Sequence, residues 1–232
     1  MLEKINSFAP YLEDIRRRLY GIALVFAGVF FVGIFSSPYI LRLLTGLFDI
    51  KDVVIATTSP FQVADVAVDI GLMAALLVTF PLFVYNVFSF LFPGLTPREK
   101  RVFILLIPVA ILLFVVGFLY GMAILYFTLG ALASLNTSLG VQNIWDLGIF
   151  LSQLFLTSTL LGIIFEFPLF LTILVRLGII TADALRKKRR VFTAVAFIFV
   201  ALLPPTDGIS LIVMTVPLVL LYEVTIFINS KK

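Results

Sequence analysis

Apolar residues fill this chain in long blocks, with polar residues confined to short clusters between them. A bilayer core about 30 Å thick is crossed by roughly 20 helical residues at 1.5 Å each. Blocks of that kind run from about 19–40, 66–92, 102–129 and 148–175. A last apolar block is interrupted by "LPPTDGIS", where Pro204, Pro205, Asp207 and Gly208 form a turn that one long kinked helix does not survive. It therefore divides into 191–203 and 209–228, two short spans, the first only about 20 Å long. The prediction is an all-α, polytopic membrane protein, a single domain over 1–232 with six transmembrane helices, the last two short.

Composition supports the same class. The chain is 62% hydrophobic and 13% charged, with a mean hydropathy of +1.18. A soluble helical domain of this size needs more charge to cover its surface. Placement of charge then sets the topology. Fifteen of the 17 Lys and Arg residues fall at the N-terminus, between spans two and three, between spans four and five, or at the C-terminus; only Arg42 and Lys51 lie on the opposite side. This asymmetry predicts that both termini face the cytoplasm in a cytoplasmic (inner or plasma) membrane. It also accounts for the net charge of +4 without nucleic acid as a partner. The N-terminal "MLEKINSFAPYLEDIRRRL" mixes acidic and basic residues and lacks a small-residue cleavage site, so it reads as mature protein.

The chain has no Cys and no His, which removes thiol chemistry and the commonest general base and metal ligand. It has no Gly-rich phosphate loop and no GxSxG elbow. The expectation is no metal, no cofactor and no enzyme, because an intramembrane catalyst would lack a recognisable dyad. No internal repeat is visible, which counts against a pseudo-symmetric transporter.

Four segments carry candidate chemistry. In "PYLEDIRRRLYGI", Leu12, Ile15, Leu19 and Ile22 share a helical stripe. That pattern reads either as an amphipathic lead-in with an Asp14–Arg18 pair, or as a presentation of Glu13 and Asp14 to a basic partner. In "FLFPGLTPREKRVF", Thr96-Pro97-Arg98-Glu99 has the form of a capping box opening span three. Glu99 is then either a cap or a binding carboxylate on a short anchored loop. Glu166 is the only ionisable residue between Gly148 and Val175, about 15 Å into the membrane. A charge there costs about 2.5–3.5 kcal/mol, and such groups face a bundle interior or water. Pro168 two residues on is expected to kink the span. Asp69 and Glu223 fall nearer the surfaces, as interfacial charges. The outer loops "TTSPFQVADVAVDIGL" and "NTSLGVQNIWDLG" carry no catalytic constellation, and Trp145 sits where an interfacial anchor is expected. From these residues alone, a binding module and a proton- or ion-coupled small-solute transporter using Glu166, with Asp69 or Asp207 as relay, both stand.

Taken in order, the motifs resemble the TatC family, the signal-binding subunit of the twin-arginine protein translocase. Tyr11-Leu12-Glu13-Asp14-Ile15-Arg16-Arg17-Arg18-Leu19 resembles the family's opening pattern, and Ser59-Pro60 its first outer loop. Tyr85, Phe88, Phe90, Pro93, Glu99, Lys100 and Arg101 match its first cytoplasmic loop, and Phe165-Glu166-Phe167-Pro168 its fourth span. Gly178 to Thr181, Pro204-Pro205-Thr206-Asp207, and the run from Pro217 to Glu223 complete the series. The chain departs from the pattern at Tyr11 (usually His), Asp14 (usually Glu), Gln62 (often Glu), Asp69 (often Lys) and Leu211 (often Gln).

The resemblance implies binding of twin-arginine signal peptides of folded export substrates at the cytoplasmic face, through Glu99 and Asp14, with Phe90, Glu13 and Arg16 beside them. Carboxylates read consecutive arginines through charge-assisted hydrogen bonds. It also implies that Glu166 and Pro168 meet single-span partners of the TatA/TatB type, that Asp207, Pro205, Ser59 and Pro60 make outer-face contacts, and that the protein forms a homo-oligomer within a larger complex.

Overall fold

The computed structural model describes residues 2–48, 53–91, 97–204 and 207–230, with side chains described over 13–48, 53–89, 100–101, 104–204 and 207–230. The chain is predominantly α-helical: α1 (Leu2–Leu47), α2 (Gln62–Leu91), α3 (Pro97–Ser138), α4 (Leu147–Phe165), α5 (Phe167–Arg176), α6 (Ala182–Lys187), α7 (Arg189–Ala201) and α8 (Gly208–Asn229). Two four-residue strands, β1 (Val53–Ala56) and β2 (Asn143–Asp146), stand in the loops that precede α2 and α4. They pair in parallel, with Val53 opposite Asn143 and Ala56 opposite Asp146. This ribbon is not expected from an all-α reading of those loops.

Among the described residues, Glu13–Leu47, Gln62–Ser89, Ile104–Ser138, Leu147–Arg176 and Gly208–Asn229 are long and apolar enough to cross a membrane. The remaining crossing, fifth along the chain, is α7, whose 13 residues reach about 20 Å, short as expected. Its partner α8 has 22 residues, about 33 Å, the length of a full span. The third helix continues beyond the predicted 102–129 block to Ser138. Pro81, Pro108 and Pro217 lie inside helices. Membrane helices tolerate this because neighbouring groups satisfy the freed carbonyls.

The fourth crossing breaks where the sequence predicts. Pro168 has no N–H to continue the ladder. The helix closes with the Glu166 N–H on the Ile163 carbonyl (3.1 Å) and restarts with the Phe170 N–H on the Glu166 carbonyl (3.0 Å). Glu166 therefore ends α4 and caps α5 at once.

The chain divides into two compact units. The first comprises Met1–Leu44 and Ala64–Ile111. In it α1 and α2 approach through Gly33 and Gly71. A Cβ on Gly33 would lie 2.8 Å from the Gly71 Cα, and one on Gly71 would lie 2.8 Å from the Phe30 carbonyl oxygen. Small residues allow this because, in lipid, helices associate by close packing rather than by escape from water. Val66, Ile70 and Ala75 are buried on the core side of α2.

The second unit comprises Thr45–Val63 and Leu112–Lys232. Here α3 meets α4 through Gly117 and Gly121, a GxxxG pair. Added Cβ atoms would lie 2.7 Å from the Leu161 carbonyl oxygen and 2.6 Å from the Ser158 Cα. Ile124, Leu161, Phe165, Ala196, Val200, Met214 and Leu218 belong to its main core, drawn from α3, α4, α7 and α8. A smaller cluster of Leu171, Leu185, Tyr222 and Ile226 joins α5, α6 and α8.

Candidate functional site

In the first unit, α1 carries the charged turn. The Arg18 Nε donates to the Asp14 Oδ2 at 2.8 Å, the i,i+4 pair expected from the sequence. Glu13 and Arg16 pair more loosely at 3.9 Å, both well exposed. Asp14, Arg17 and Arg18 border a groove of about 450 Å³ closed by Gly21, Ile22 and Val25 of α1 and by Leu82 and Asn86 of α2. The Asn86 amide is occupied by the Leu82 carbonyl at 2.7 Å. Asp14 is about half exposed, so an incoming guanidinium competes with Arg18 for a surface pair rather than a buried one. The third helix begins at Pro97, as the capping pattern predicts, but the side chains of Glu99 and Phe90 lie outside the described residues.

In the second unit, Glu166 borders an apolar depression of about 440 Å³, with Pro168, Phe170, Phe192, Val195, Phe199 and Leu221 around it. Its Oε1 is buried without a hydrogen-bond partner among the described residues, while the Phe114 backbone is a polar neighbour. No hydrogen bond among the described residues joins it to Asp207.

Asp207 caps α8 instead, accepting the Ser210 N–H at 2.9 Å. Nearby, the Thr157 hydroxyl donates to the Pro204 carbonyl at 2.6 Å, and Thr128 and Ser210 share a hydrogen bond. Pro205 lies outside the described residues. The Ser59-Pro60 turn leads into α2: the Ser59 carbonyl accepts the Gln62 N–H at 3.2 Å, and its hydroxyl accepts the Phe61 N–H at 3.4 Å.

Sequence reasoning missed the group beside that turn. Asp146 accepts from the Thr58 hydroxyl, the Ile149 N–H and the Gln62 side-chain amide. The Gln62 Oε1 in turn accepts the Thr58 N–H at 2.9 Å. These donors, Thr58 foremost, hold the Asp146 carboxyl at about 2, below its ordinary 3.8. The departure of Gln62 from the family's Glu marked one partner, but nothing in the sequence paired it with Asp146.

Glu223 remains partly exposed and pairs with the Arg189 guanidinium at 2.8 Å, a partner the sequence did not indicate. The neighbouring Tyr222 donates its hydroxyl to the Leu185 carbonyl at 2.8 Å and stacks on Phe192 with ring centres 3.9 Å apart.

The fold and these polar groups define a polytopic helical membrane protein whose charged side chains gather at helix ends and at one broken span. The chain belongs to the TatC family: the family model described as "Sec-independent protein translocase protein (TatC)" matches residues 10–217. It is 29% identical to the Sec-independent protein translocase protein TatC of Listeria innocua, over 99% of this chain and 94% of that one. It is also 29% identical to TatCy of Bacillus subtilis, over 98% and 91%. A crystal structure of the twin-arginine translocase receptor TatC in DDM superposes with a TM-score of 0.82 at 29% identity, covering 94% of this chain and 98% of that one.

Proposed function

We propose that this chain is the receptor subunit of a twin-arginine translocase, binding twin-arginine signal peptides at the face that carries most of its cations. The observation that carries the reading is the groove at the charged turn of α1, where the Asp14 carboxylate stands half exposed against a surface arginine. A solved relative of the same fold is described as the twin-arginine translocase receptor. Asp14 and Glu99 accept the signal's guanidinium groups, Phe90 packs beside them, and Glu13 and Arg16 balance charge along the same turn. With both termini cytoplasmic, the signal's apolar stretch enters the membrane along the helices.

The depression beside Glu166 and Pro168 suits single-span TatA/TatB-type partners. A carboxyl with an unpartnered oxygen there offers a polar point to a passing helix. Ser59, Pro60, Pro205 and Asp207 serve contacts on the opposite side, and copies of the chain assemble within the larger complex. Its part is binding and assembly, not catalysis.

Crosslinking tests the reading. Glu99→Ala with Asp14→Ala abolishes crosslinking of a twin-arginine signal while the protein still inserts into the membrane. Unchanged crosslinking in the double variant overturns it, and proton-coupled uptake of a small solute by the purified protein favours a transporter instead.

A further inference from the structure

The elbow between α6 and α7 carries five consecutive cations, Arg186 to Arg190, all exposed. Two of them are engaged: Arg186 faces Asp183 at 3.8 Å and Arg189 holds Glu223 at 2.8 Å. Lys187, Lys188 and Arg190 make no ion pair among the described residues. Their positive charge is therefore not neutralised locally. The first turn of α7 adds to it, with no carboxylate and no side-chain cap on Lys188.

The elbow is held firmly in place. Thr181 caps α6 by accepting the Ala184 N–H, Leu185 is buried, and its carbonyl accepts the Tyr222 hydroxyl. Phe192 lies flat on Tyr222 one turn into α7, and the Arg189–Glu223 pair ties the same turn to α8. Three cations without an ion pair among the described residues are thus presented from a backbone held by these contacts.

Immediately beyond them, Val191, Val195, Ile198 and Leu202 recur at helical spacing, and each is more than half exposed. One face of the element therefore reads as a cationic end continued by an apolar stripe. The helix itself is only about 20 Å long, so its charged start lies close to headgroup depth.

We propose that the α6–α7 elbow is a binding site for an anionic phospholipid, its headgroup held by Lys187, Lys188 and Arg190 and an acyl chain lying along Val191, Val195 and Ile198. A soluble acidic peptide matches the cations but leaves the apolar stripe uncovered. A zwitterionic lipid matches the stripe but brings no net charge to the cations. The headgroup site does not depend on the signal-receptor reading, because none of its residues belongs to the α1 groove; along the stripe only Val195 also borders the Glu166 depression.

The test uses the purified full chain in detergent micelles doped with phosphatidylglycerol or phosphatidylcholine, with retained lipid counted by native mass spectrometry. Phosphatidylglycerol is retained in preference to phosphatidylcholine. The triple variant Lys187→Gln, Lys188→Gln, Arg190→Gln reduces that preference about tenfold. The charge-preserving triple variant Lys187→Arg, Lys188→Arg, Arg190→Lys keeps it, which separates loss of charge from loss of fold. Undiminished preference in the glutamine variant overturns the proposal. So does polyglutamate binding at the elbow as tightly as phosphatidylglycerol, which would assign the cations to an acidic protein.

Discussion

Arg18 donates its Nε to Asp14 across 2.8 Å, so a carboxylate proposed to read arginines already holds one of the chain's own. The pair lies at the surface, where such contacts contribute at most about 1 kcal/mol, and a bidentate guanidinium from outside displaces it readily. Asp14→Asn is expected to lower capture of a twin-arginine peptide about tenfold, because an amide cannot make the charge-assisted pair. Asp14→Glu keeps the charge and is expected to retain capture. Fluorescence anisotropy with a labelled signal peptide distinguishes the two, and equal binding by both variants would remove Asp14 from the site.

The Thr58–Gln62–Asp146 group predicts an acid limit. The Asp146 carboxyl is depressed to about 2 in the folded protein, so its contribution is present above its ordinary value of 3.8 and is lost as pH falls through about 2. Gln62→Glu sets a second carboxylate against the first. It is expected to lower the melting temperature by about 2–4 °C at neutral pH. Part of that loss should return on mild acidification, as one carboxyl takes up a proton. Thermal unfolding in detergent across pH 3–7 checks both signs; a pH-independent difference would contradict the charge account.

Gly121 fixes the α3–α4 approach. Gly121→Val drives its side chain onto the Ser158 backbone, which has no rotamer to yield, and is expected to destabilise by about 1–3 kcal/mol. Gly130, with open space around it, is the matched control and tolerates Ala. A thermal shift series comparing the two positions decides the point.

Glu166 opposes stability to function. Its buried Oε1 has no partner among the described residues, so Glu166→Leu is expected to raise the melting temperature by removing a desolvated polar atom. The same change, like Glu166→Ala, should leave initial signal docking intact and impair partner assembly or transport. Co-purification of a single-span partner, measured beside peptide binding, separates these effects. Loss of docking together with assembly would place Glu166 in the signal site.

Helix positions and the break at Glu166 were legible because each rests on a local property: block length, a proline, or a capping side chain. Pro168 removes a ladder hydrogen bond locally, and the helix divides there, whereas Pro81, Pro108 and Pro217 stand inside continuous helices; Asp207 caps the helix that Gly208 begins. The Gln62–Asp146 bond and the β1–β2 register were not legible, since they join residues more than 80 positions apart without a sequence period to mark them. The Arg189–Glu223 pair was not legible for a related reason: only folding brings Arg189 to Glu223 of α8.

The β1–β2 ribbon also imposes an order of events during biogenesis. Its second strand does not exist until the segments forming α2 and α3 have been synthesised, so the first strand waits unpaired with its backbone groups open. Once Asn143 to Asp146 arrive, pairing and the Asp146 hydrogen bonds form together. A helical segment left uninserted or inverted would deliver the two strands to opposite sides of the membrane and leave both unpaired. Resistance of residues 53–62 to protease is therefore expected to report that the intervening pair of helices has inserted correctly.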